Sequence, residues 1–195
     1  GTGGYVMFFE TRLSAAWLAE NLPGQDYSLC NGGAAWAIGM AVSDDGLNNW
    51  TILGDRPVFI PAPGSYYACV AAHPNVVYDA NASGGAKLQL FFKAQRNRAT
   101  GGTNLQTGVG LAQVRRVGAW GSLSGWEVAA FSSPVLPLTN FGFPAVVQHE
   151  SLWYMWVAQV PSLYLATRFG ALGDAFTGPG SVPNFAIQST PASSA

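Results

Sequence analysis

Tyr5-Val-Met-Phe-Phe-Glu10 decides the fold of this chain, because the stretch returns twice, as Leu88-Gln-Leu-Phe-Phe-Lys93 and as Leu152-Trp-Tyr-Met-Trp-Val157. Each copy is short, aromatic-rich and free of Gly and Pro, the composition of a strand buried on both faces. A second element follows each copy: Ala37-Ile-Gly-Met-Ala41, Gly108-Val-Gly-Leu-Ala112 and Leu163-Tyr-Leu-Ala166. A third follows two of them, as Trp50 with Pro57-Val-Phe59 and as Trp126 with Pro134-Val-Leu136. An element also precedes the later two copies, Pro74-Asn-Val-Val-Tyr78 and Pro144-Ala-Val-Val147. The chain is therefore expected to use one four-stranded antiparallel unit about three times, and radial repetition of such units is the signature of a β-propeller.

Units at about 5–60, 70–137 and 140–186 make one domain over 1–188, and 189–195 reads as a disordered tail or linker. Gly1–Gly4 supplies no strand before Tyr5, so the first unit lacks the element that the later units carry. Rings of this kind are built from roughly four to eight blades, so three imply an incomplete ring. Missing blades, further copies of the chain or a protein partner would complete it.

Length suits a single core: the chain has 195 residues. Net charge is -1 and the pI is near 6.1, and the pairs Arg96, Arg98 and Arg115, Arg116 are too sparse for a basic stripe. A nucleic-acid partner is not expected. Only 10% of residues are charged and mean hydropathy is +0.18, against ~25% charged residues in ordinary soluble domains. Surface buried by a partner, a larger ring, or a surface made polar by Ser, Thr and Asn would each account for this. The longest apolar run, Leu152–Ala166, is broken by Gln159, Pro161 and Ser162 and falls short of the ~18 continuous apolar residues of a membrane span. No signal peptide is visible, but the sequence starts at Gly1 without Met, which leaves room for a missing presequence. Cys30 and Cys69 either pair in an oxidising compartment or remain free thiols. With His73 and His149 they lack metal-ligand spacing, and no phosphate loop or other cofactor motif is present. The compartment stays open, with the cell exterior or an organellar lumen favoured.

Along the chain, Ser14–Leu22 is helix material ended by Pro23-Gly24, and Asn31-Gly-Gly33 turns the chain back into a strand. Ser43-Asp-Asp-Gly46 reads as a structural hairpin turn. Gln95–Thr107 reads as a long polar loop.

Read together, Met7-Phe-Phe-Glu10, Ala37-Ile-Gly-Met-Ala-Val-Ser43, Asp45-Gly46, Trp50 and Pro57-Val-Phe59 resemble the arabinanase, levansucrase and invertase type of five-bladed β-propeller, the clan of family 43 and family 32 glycoside hydrolases. The resemblance covers about residues 5–168. It implies a ligand mouth where the first strand of each blade begins and the second ends. There it places His73, Asn75, Asn140 and Phe143, with Glu10, Lys93 and Gln159 beside them and Thr11–Ala35 and Gln95–Thr107 overhanging. The aromatic residues Trp17, Trp36, Tyr66, Tyr67 and Phe143 suit either stacking on sugars or ordinary packing.

Glycoside hydrolysis uses two carboxylates about 5–9.5 Å apart. Of the ten acidic residues only Glu10, Glu20 and Asp26 fit the mouth, since the others fall in outer hairpins and turns. The family's Asp-Pro at the start of strand one is replaced by His73-Pro74 and Phe143-Pro144, so its catalytic acids are missing. Glu10 is the one catalytic candidate, with His73, Asn75, Lys93, Asn140, Phe143 and Gln159 as ligand-binding candidates. Two functions follow: a carbohydrate-binding or glycoside-hydrolase-like module, or a non-catalytic structural or accessory subunit of a larger assembly.

Overall fold

The computed structural model of the chain describes residues 4–24, 26–30, 35–82, 85–96, 106–137, 139–159, 161–173, 175–176 and 183–187. The Asn31-Gly-Gly33 turn, most of the Gln95–Thr107 loop, Asp174 and the 189–195 tail lie outside them. The fold is all-β, with a single seven-residue α-helix among the described residues. The strands fall into three consecutive groups. The first is β1 (Tyr5–Leu13), β2 (Ala35–Ser43) and β3 (Thr51–Ile52). The second is β4 (Val70–Tyr78), β5 (Leu88–Gln95), β6 (Thr107–Arg116) and β7 (Trp126–Ala130). The third is β8 (Gly142–His149), β9 (Leu152–Gln159), β10 (Ser162–Phe169) and β11 (Ala186–Ile187). Neighbours within a group pair antiparallel. One parallel pair, Trp36 with Val70, joins the first group to the second, while the third forms its own sheet.

The groups repeat residue by residue. Phe9 faces Gly39 across its strand pair, Phe92 faces Gly110 and Val157 faces Tyr164. Ala41, Ala112 and Ala166 pair in turn with Ile52, Ala130 and Ile187. The Pro-Val elements are single bridges rather than strands: Phe59 bridges Ile38 and Leu136 bridges Val109.

The third copy sits one residue away from where the sequence places it. Matching aromatic to aromatic puts Trp156 under Phe92, yet the ladder puts Val157 there. A one-residue step moves every side chain to the other face of a sheet. Val157 is accordingly buried and Trp156 exposed.

Three apolar layers hold the groups together. Ile38, Met40, Leu90, Phe92 and Ala112 pack between the first and second groups. Phe91, Leu111, Trp153, Met155 and Val157 pack between the second and third. The third layer lies under the excursion between β1 and β2. There α1 (Ala15–Asn21) starts at Ser14, whose Oγ accepts from the Trp17 N–H at 3.1 Å, and buries Leu18 against Leu13, Ala35 and Val70. The Cys30–Cys69 disulfide, with Cα atoms 5.5 Å apart, ties this excursion to the lead into β4. The two cysteines are thus paired.

The turn after β2 is closed by its own side chains. Ser43 Oγ donates to the Asn48 carbonyl at 2.7 Å and accepts from the Gly46 N–H at 3.0 Å. Asp45 Oδ1 accepts from the Leu47 and Asn48 N–H groups at 2.9 Å each. These bonds hold the exposed Asp45 carboxyl below the usual carboxylate range, so the segment is a structural turn.

Candidate functional site

Both X-Pro pairs singled out in the sequence form the same strained bulge. The ladder between β4 and β5 runs Ala72 opposite Lys93, then Asn75 opposite Phe91, so His73 and Pro74 share one partner position. Between β8 and β9 it runs Gly142 opposite Ala158, then Ala145 opposite Trp156, so Phe143 and Pro144 do the same. A bulge is where a strand can hold Pro, which has no N–H for the ladder. The first strands therefore start at Val70 and Gly142, upstream of their prolines, and not at Pro74 and Pro144, where the sequence elements begin.

His73 and Phe143 have φ values of 49° and 54°. Positive φ is unusual for any side-chain-bearing residue and an outlier for a bulky one. Backbone strain of this kind persists where its surroundings enforce it. The two bulges lie side by side, with the His73 and Phe143 rings stacked at a centroid distance of 4.3 Å.

Each bulge is met by the end of a strand of the preceding group, β1 for the first bulge and β5 for the second. Glu10, near the end of β1, reaches the His73 bulge: one carboxylate oxygen, Oε2, accepts from His73 Nδ1 at 2.9 Å and from the His73 backbone N–H at 3.1 Å. Lys93, the matching residue of β5, reaches the Phe143 bulge, its ammonium 5.0 Å from the ring centroid. That is cation–π distance. A pocket of about 200 Å³ opens here between Glu10, Trp36, His73, Lys93 and Gln95, floored by Val70 and Ala72. A larger hollow of about 290 Å³ lies on the outer side of β1, between Phe9, Arg12, Trp17, Ile52 and Pro57, and contains no bulge residue.

The electrostatics of the pocket follow from burial. Desolvation pushes the His73 pKa down and the Lys93 charge lowers it further, against the pull of Glu10. The imidazole is then neutral at pH 7; with Nδ1–H donating to Glu10, Nε2 is left as an acceptor. Desolvation also lowers the Lys93 pKa, again opposed by Glu10. Gln95 is 3% exposed and its amide nitrogen has no hydrogen-bond partner among the described residues.

Glu10, His73, Lys93 and Phe143 thus come together, and the other candidates stand around them. Asn75 Oδ1 accepts from the Val146 N–H at 3.0 Å and pins β4 to β8 just behind both bulges. Gln159 Nε2 donates to the Thr139 carbonyl at 2.9 Å, while exposed Asn140, with φ 71°, donates its N–H to the Thr107 carbonyl. Glu20 lies on α1, and Asp26 Oδ1 accepts from the Ser28 N–H at 2.8 Å; neither lines the pocket. Tyr66 and Tyr67 pack against Phe92 in the first apolar layer. Gln95 is the residue sequence reading missed. It is read there as the first residue of a polar loop, and the signal that it belongs to the site is its place two residues beyond Lys93 on one strand.

The chain matches no known family and no curated protein. Among solved structures it has a distant glycoside-hydrolase-like fold. One such structure is described as "Glycoside hydrolase"; it superposes with a TM-score of 0.54 at 14% identity, over 80% of this chain and 44% of that one. Another, a BT0996 RGII complex, superposes with a TM-score of 0.53 at 13% identity, again over 80% and 44%. At such identities the likeness is one of fold. The chain spans less than half the length of either structure.

Proposed function

We propose that this chain is a β-propeller-type carbohydrate-binding module, three blades of a larger ring, with its ligand seated in the pocket of Glu10, His73 and Lys93. The observation that carries this reading is the doubled strained bulge, which stacks His73 on Phe143 beside a carboxylate at the mouth of a pocket. The glycoside-hydrolase-like fold supports the ligand class, although fold alone never assigns function. A sugar ring needs both donors and acceptors, and the pocket offers the Lys93 and Gln95 donors, His73 Nε2 and the free oxygen of Glu10. Binding is favoured over hydrolysis because Glu10 is the only carboxylate lining the pocket among the described residues, and cleavage uses two.

The test is a glycan-array screen of the chain, followed by calorimetry on the strongest ligand with the wild type and Glu10→Gln. That variant should weaken binding at least tenfold, because a carboxylate–His73 pair becomes a neutral one. An array without a hit, or a variant that binds as the wild type does, sinks this reading.

One observation favours the second reading, a structural or accessory subunit. The outer face of the third sheet is apolar and open, with Val147, Leu152, Trp156, Leu163 and Phe169 all exposed. A further sheet packed there would continue the repeat. Native mass spectrometry of the protein from its source checks this: a lone 20.5 kDa species counts against it. We also propose an oxidising compartment, the cell exterior or an organellar lumen, supported by the Cys30–Cys69 pairing. Thiol labelling of the native protein that modified both cysteines without prior reduction would reject it.

A further inference from the structure

Counting donors and acceptors in the pocket leaves an imbalance. Glu10 Oε2 already accepts twice, from Nδ1 and the backbone N–H of His73. Lys93 has no carboxylate within 4.0 Å among the described residues: its ammonium lies over the face of Phe143 and feels the Glu10 charge only at longer range. Gln95 has a buried amide N–H with no acceptor among the described residues. Buried polar groups in native proteins are nearly always paired, and a group that is not asks for a missing partner. The pocket is thus lined by an ammonium and an amide donor, two residues apart on β5, neither with a hydrogen-bond acceptor among the described residues.

We propose that these two donors hold the carboxylate of an acidic sugar, a uronic acid residue of the glycan. A carboxylate brings two oxygens and no donor, which suits a site with two unmet donors. It also places a carboxylate in direct reach of a half-buried ammonium that meets Glu10 only at longer range, and charge-assisted hydrogen bonds are about twice as strong as neutral ones. A neutral sugar offers hydroxyls only, each bringing a donor of its own. The other lining groups suit the rest of the ring: the free oxygen of Glu10 and the neutral Nε2 of His73 accept from sugar hydroxyls, and Trp36 adds an apolar surface. This inference rests on the glycan-binding reading and narrows it.

The test titrates the chain with methyl glucuronoside, methyl glucoside and acetate at constant ionic strength, followed by calorimetry or by ligand-observed NMR. The uronoside should bind about tenfold tighter than the glucoside, the difference one charge-assisted pair supplies. Lys93→Met and Gln95→Leu should each bring the two sugars' affinities towards a ratio of one, with thermal melts confirming that both variants fold. Equal affinity for the two sugars in the wild type overturns the acidic-sugar inference and leaves the glycan reading standing. Acetate binding as tightly as the uronoside marks a general anion site and overturns the inference as well. A preference that survives Lys93→Met overturns the assignment to Lys93. Failure of both sugars, together with an empty glycan array, removes the broader reading.

Discussion

Phe91 and Trp156 occupy the same position in consecutive groups, yet one is fully buried and the other 37% exposed. Phe91 lies opposite Asn75 and Leu111, and Trp156 opposite Ala145 and Leu165, each one residue before the strand meets its bulge. The strands around them follow the same antiparallel order. What differs is the next layer: the second group has the third sheet against it, and the third has no described sheet beyond it. In a stacked repeat a side chain is made core or surface by its neighbour and not by its own strand. The two residues are a matched pair in which only that neighbour changes.

Truncating both is the most powerful way to break the comparison. Phe91→Ala removes a ring that packs against Trp153 and Phe185 at centroid distances of 6.0 and 5.9 Å. It should cost about 3–5 kcal/mol, as buried aromatic truncations do. Trp156→Ala, on the open face, should cost under about 1 kcal/mol. Urea unfolding of the isolated chain reads both. If Trp156→Ala proves as costly as Phe91→Ala, that face is covered and the two positions are alike after all.

A smaller contrast comes from the paired glycines. Gly39 and Gly110 lie under the rings of Phe9 and Phe92, and a Cβ on either would enter the ring that covers it. Phe92 is held by Phe59 and Tyr67, at 5.0 and 5.6 Å between centroids, and has nowhere to turn. Phe9, half-buried at the outer side of β1, can swing aside. Gly110→Ala should therefore destabilise by about 2–3 kcal/mol, and Gly39→Ala by less than about 1 kcal/mol. Equal losses in urea unfolding would mean that the outer side of β1 is as tightly packed as the middle of the stack.

The same contrast explains what was legible in the sequence. The recurrence of Phe-Phe with Gly-Met-Ala or Gly-Leu-Ala gave away the repeat in the first two groups, because the rings of Phe9 and Phe92 each lie over a glycine of the next strand. In the third group Val157 faces Tyr164, so the pattern is inverted and matching by type slips by one residue. That Glu10, Lys93 and the two X-Pro pairs gather in one place was legible too. The bulge was not, because a Pro inside a strand reads as a break unless the ladder is seen to skip a residue. Gln95 stayed hidden for a simpler reason: burial at the end of a strand comes from what packs over it, here the lead into β4, whose Cys69 N–H donates to the Gln95 carbonyl at 2.9 Å.

The smallest predicted effect uses the two bulges as each other's control. His73→Phe gives the second group the residue that the third already carries at that place. In the native protein, burial lowers the His73 pKa below its ordinary value near 6.5, so the unfolded chain binds the proton more readily. Its contribution to stability is then complete above pH 6.5 and declines as the pH falls through 6.5 towards the folded value. The decline is shallow, because the side chain is a third exposed. Thermal melts of the wild type and His73→Phe between pH 8 and pH 5 should show a slope that the substitution flattens. At neutral pH the variant should be slightly less stable, since it loses the 2.9 Å bond to Glu10. It keeps the backbone N–H that donates to the same carboxylate. A slope unchanged by the substitution would mean that His73 is neutral for reasons shared with the unfolded chain. The bulge would then differ from that of Phe143 in shape alone.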